Sequence, residues 1–174
     1  MKYTLLVLLS IGAFTQAHSQ NLTFDQVLSL RKNNLAQVEE YLSSRGWSFL
    51  DGTASTDSTL AKATFTYNRS AYEDKAESFL IFVSSSDNSR NRVRIQVFKK
   101  DIYEVYLARI KALGCKLIKS EIVDGGILKV YQGATTTIKI NILTEKEEDY
   151  STKTAYLLFI LDNDDYSINY SDDE

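Results

Sequence analysis

The stretch RVRIQVFKKDIYEVYLARIKALG, residues 92–114, changes its period part-way along. Val93, Ile95 and Val97 alternate with Arg92, Arg94 and Gln96. Period two belongs to a strand with one buried face and one wet face. Beyond Lys99 and Lys100, the apolar residues Ile102, Val105, Tyr106, Ile110 and Leu113 recur at three- and four-residue steps. That spacing forms one face of a helix. Asp101 with Glu104 has the form of a capping box, and Gly114 suits the left-handed position past a helix end. A strand therefore feeds a helix, and the helix feeds whatever follows Gly114.

The same helix ending recurs upstream. Tyr41–Phe49 and Arg109–Leu117 each run from a helix end through glycine into a strand start. A shift of 68 residues pairs Gly46 with Gly114, Leu42 with Ile110, Val38 with Tyr106, and Leu35 with Tyr103. It also pairs Asn33 with Asp101, both good N-caps. The first helical region begins at a second capping box, Thr23 with Gln26, and a break at Asn33-Asn34 is expected; one continuous helix also fits.

Strands are expected at 47–50, 61–67, 78–84 and 92–98, then at 115–123, 127–131, 137–143 and 154–161. Asp124-Gly125-Gly126 supplies the positive-φ residues of a tight hairpin. Polar connections are expected at 51–59, 84–91 and 144–153. These readings predict an α+β fold of two tandem helix-plus-four-stranded antiparallel units, with the helices packed on one face. The first unit would span residues 20–100. The second, with an acidic C-terminal segment, would span 101–174.

Over residues 22–161 this pattern resembles small exported bacterial proteins with a duplicated helix-plus-meander unit, the architecture of the β-lactamase inhibitor protein family. The helix-glycine-aromatic ending at Tyr41–Phe49 is the nearest thing to its signature. The resemblance implies the duplicated architecture and carries no functional residue.

Residues 1–19 read as a cleavable export signal. Lys2 precedes the apolar residues Leu5, Leu6, Val7, Leu8, Leu9 and Ile11, and Ala17-His18-Ser19 offers small residues before a cut at Gln20. The apolar run is about ten residues, too short to span a bilayer. The expected destination is the periplasm or the extracellular space, with no membrane span after cleavage.

Cleavage removes His18, the one histidine, so no histidine-based triad, dyad or metal site is available to the mature chain. Cys115 is the one cysteine, so no internal disulfide forms. It follows a helix C-terminus, where the dipole disfavours a thiolate. The formal charge of −3 gives no basic footprint for nucleic acid. No phosphate loop or paired-cysteine metal site is present. The expectation is no cofactor, no metal and no catalytic residue.

Candidate binding residues come from strands. Arg92 and Arg94 share one strand face, near Lys99 and Lys100, with Lys62 and Lys129 expected on neighbouring strands. Residues 79–83 and 156–161 are apolar on both faces, so each needs a second cover: loops, the other lobe, the C-terminal segment or a partner. Tyrosines on strand ends and loops, Tyr67, Tyr131, Tyr166 and Tyr170 among them, favour an interface. The candidate sheet-face site is Arg92, Arg94, Lys129, Tyr131, Leu80 and Phe82. The acidic runs 145–149 and 162–165 read as solvated loops. The expected function is an exported, non-catalytic protein-binding module or envelope accessory protein, its partner another protein. The alternatives are a carrier of a small apolar ligand and a hydrolase that uses carboxylates alone.

Overall fold

Local capping sets the first two helices. Thr23 accepts a hydrogen bond from the Gln26 N–H while the Gln26 side chain accepts from Thr23, starting α1 (Phe24–Leu30). Asn34 and Gln37 repeat this reciprocal pair to start α2 (Leu35–Ser43). The break at Asn33-Asn34 is real, but Asn34 is the cap rather than Asn33. Asn91 holds this corner, its Nδ2 donating to the carbonyls of Arg31 at 3.2 Å and Asn33 at 3.0 Å.

The computed structural model describes residues 22–56, 59–70, 75–85, 90–146 and 152–170; the export signal expected at 1–19 lies outside the described residues. After α2 come β1 (Trp47–Thr53), β2 (Ala61–Tyr67), β3 (Ser78–Ser84) and β4 (Arg92–Val97). Then follow α3 (Lys100–Ala112), β5 (Lys116–Val123), β6 (Gly126–Gln132), β7 (Thr136–Lys146), β8 (Thr152–Asp162) and α4 (Asn163–Asn169). Helix α3 starts one residue before Asp101. Its N-cap is Lys99, which makes no side-chain cap, and Asp101 instead accepts from the N–H of Ile102. Gly46 and Gly114 both adopt φ of +79° past their helices.

The expectation of two tandem helix-plus-four-strand units, with helices on one face, is corrected. All eight strands form one antiparallel sheet in the order β1-β2-β3-β4-β8-β7-β6-β5. The decisive contact is between β4 and β8, where Val93 faces Ile160, Ile95 faces Leu158 and Val97 faces Tyr156. Separate meanders would leave both strands as edges with unpaired backbone groups and apolar side chains; pairing them removes two edges at once. Periodicity within each strand is silent on which strand lies next to it.

Helices also lie on both faces. α1, α2 and α3 share a core with one face, in which Phe24, Leu30, Leu42, Tyr106 and Ile110 meet Phe65, Leu80, Ile95, Ile140 and Leu158. Tyr106 lies 5.8 Å from the Phe24 ring and donates its hydroxyl to the carbonyl of Leu22. Arg109 Nε, 3.0 Å from both carboxylate oxygens of Asp25, ties α3 to α1 outside this core. Helix α4 lies on the opposite face. Its Asn163 accepts from Thr137 at 2.8 Å, and Tyr170 just beyond it stands 5.5 Å from the Phe159 ring. The apolar second face of β8 explains this: Leu161 is fully buried and needs a cover.

The β5–β6 hairpin turns at Asp124 (φ +51°) and Gly125 (φ +76°), which suits the right-handed twist of the strands. Gly126 follows under pressure from β7: a Cβ there would sit 2.7 Å from the carbonyl oxygen of Ile142. Backbone cannot give way as a side chain can. Gly126→Ala is therefore expected to lower stability by about 1–3 kcal/mol, read by chemical denaturation.

Candidate functional site

The face opposite α1–α3 is built around β8. Phe159 lies directly between Arg94 on β4 and Lys139 on β7 in the strand register. Arg94 covers the Phe159 ring, its guanidinium carbon 4.9 Å from the centroid. The Lys139 ammonium sits 4.4 Å from the Tyr170 centroid. Phe159 and Tyr170 meet edge to face, at 85° between their planes. With Asn141 and Leu157, these residues line a hollow of about 180 Å3.

Arg92 stands beside this hollow but is already committed. Its Nε and Nη2 each donate to Asp165 at 2.6 Å, a bidentate pair, and Nη1 donates to Tyr170 at 3.2 Å. Asn169 Nδ2 donates to the same carboxylate at 2.8 Å. The Arg92 and Asp165 side chains are only 14% and 8% exposed. Burial by itself would lower the Arg92 pKa, but the hydrogen bond and charge of Asp165, aided by Tyr170, raise it overall. The pair clamps α4 and so places Tyr170 as a wall of the hollow. Arg94, by contrast, is exposed and has no carboxylate partner among the described residues.

The six candidate residues do not share one face, because side chains alternate across a strand. Arg92 and Arg94 lie on the α4 side. Leu80 and Phe82, 0% and 1% exposed, lie under α1–α3. Lys129 and Tyr131 pair with Ile140 and Ile138, which puts them on that same helix-covered face, with Tyr131 buried. The lysine that joins the arginines is Lys139. Both lysines alternate with apolar neighbours in the sequence, and only the strand register separates their faces.

The acidic run 162–165 is not a solvated loop. Asp162 ends β8 and pairs with Arg31, and Asp165 is buried against Arg92. Glu147, Glu148 and Asp149 of the other run lie outside the described residues. Cys115 is half-buried, and its burial pushes the thiol pKa up, away from a reactive thiolate. No group of three or more potential metal ligands occurs among the described residues.

A second depression, about 250 Å3, lies between α2 and the ends of β1 and β2. Leu35, Phe49, Ala54, Ala61 and Phe82 line it, with Phe49 60% exposed, so one wall faces solvent. Comparison of the chain with protein-family models, with curated proteins and with solved structures finds no match.

Proposed function

We propose that this protein is an exported, non-catalytic binding module whose α4-side face takes an acidic segment of another protein. The observation that carries this reading is the Phe159 cluster. Arg94 and Lys139 present positive charge on either side of one aromatic ring, beside a polar Asn141 and the Tyr170 wall. Stacked guanidinium and aromatic groups suit a planar carboxylate with an apolar stem. The neighbouring Arg92 has its charge met internally by Asp165, so Arg94 is the guanidinium left for a partner. The open wall of the apolar depression fits protein contact better than carriage of a small apolar ligand, which needs burial of most of the ligand surface.

Titration calorimetry with a glutamate-rich, tyrosine-containing peptide tests the reading. Arg94→Ser with Lys139→Ser is expected to weaken binding by about tenfold, or about 1.4 kcal/mol. Affinity should fall as salt rises, because exposed charges are screened. Equal binding by the native protein and the double variant, with the circular dichroism of both unchanged, overturns it.

A further inference from the structure

Strand β5 forms one edge of the sheet, and its outer side carries no neighbouring strand among the described residues. Such an edge is a template for another chain unless something blocks it. Here the edge is bordered by apolar side chains: Leu117 is 50% exposed, Ile118 51%, Ile122 84% and Val123 41%. On the adjoining strand, Ile127, which faces Ile122, is 43% exposed.

The order of residues along this edge is self-complementary. A bulge between Leu117 and Lys119 resets the alternation. From Ile118 onward, Ser120 and Ile122 follow on the helix side, while Lys119 and Glu121 lie on the α4 side. Lys119 and Glu121 already approach within 3.2 Å along the strand. An antiparallel copy centred on Ser120 sets Ile118 opposite Ile122, and Lys119 opposite Glu121, twice over by symmetry. Every charge then meets its opposite and every isoleucine meets an isoleucine.

We propose that the protein forms a two-fold dimer through β5, paired antiparallel with β5 of a second copy about Ser120. The two sheets become one continuous sheet, and each Lys119 lies across from Glu121 of the second copy. An edge lysine normally deters a foreign strand. In this register the same lysine selects a second copy of the chain, since a sliding of the strands by two residues sets like charges opposite one another. Edge strand β1, with Asp51 and no basic residue between Trp47 and Thr53, has no such complement. A two-fold contact of this kind closes on itself and does not propagate.

Sedimentation equilibrium of the purified protein over a range of concentrations tests the dimer. The native chain is expected to self-associate reversibly. Glu121→Lys and Lys119→Glu, made separately at half-buried edge positions, are each expected to weaken association at least about tenfold. An equimolar mixture of the two variants should dimerise again. One variant then carries two positive charges along this edge and the other two negative ones, so opposite charges face each other at both crossings. Thermal unfolding of each variant alone shows that it is folded. A native protein that stays monomeric throughout, single variants that associate as the native chain does, or a mixture that fails to recover association overturns the proposal.

Discussion

Replacing Asp165 with alanine is expected to lower the unfolding free energy by about 3 kcal/mol, the largest effect of any single charge change in this protein. The loss follows from what is left behind. Arg92 stays in a site where its side chain is 14% exposed, without the carboxylate that meets both Nε and Nη2 at 2.6 Å. Tm should fall by about 6–12 °C for a chain of this size. Because the pair clamps α4, Tyr170 should also leave Phe159, and binding at the Arg94–Lys139 hollow should fall with it. Replacing both partners, Arg92→Met with Asp165→Leu, is expected to recover most of the stability, since neither charge is then stranded. Calorimetric melting of the three proteins decides the matter. A single variant as stable as the native chain would show that the pair contributes nothing.

Leu158→Ala is expected to cost about 3–4 kcal/mol through the cavity it opens. Leu158 is fully buried on β8, between Ile95 of β4 and Ile140 of β7, at the seam where the first four strands meet the last four. Trp47, the one tryptophan, sits on β1 at the far edge of the sheet. Its fluorescence should nevertheless report the weakened seam, because a single sheet with a shared core unfolds as one unit. Denaturant midpoints from Trp47 fluorescence and from far-ultraviolet circular dichroism should shift together. A Trp47 transition that stays at the native midpoint while the circular dichroism shifts would falsify the single cooperative sheet.

Much of the secondary structure was legible because it depends on neighbours in the chain. Val93, Ile95 and Val97 mark β4 by alternation alone, and Thr23 with Gln26 marks the start of α1 by one reciprocal hydrogen-bond pair. Gly46, Gly114 and Gly125 occupy the positive-φ positions that glycine suits. Helix α4 was not legible. Its residues, Asn163-Asp164-Asp165-Tyr166-Ser167-Ile168-Asn169, are mostly poor helix formers. What holds it is Asp165 on Arg92, a contact 73 residues away along the chain. The candidate site divided for a similar reason. Arg92 and Arg94 share one face of one strand by alternation, but joining them to a lysine on another strand required a register that no single strand contains.

By itself the sequence determined most of the local order, the helix caps, the strand centres and the glycine turns, although β1 runs on to Thr53 and β7 to Lys146 where polar connections were expected. Caps, centres and turns arise from contacts within a few residues. Only the tertiary structure decided that β4 lies against β8, that Lys139 rather than Lys129 flanks Phe159, and that Asp165 neutralises Arg92 while Arg94 stays open. Each of these depends on the pairing of distant strands. In an antiparallel sheet, a one-residue change of register carries every side chain of a strand to the opposite face.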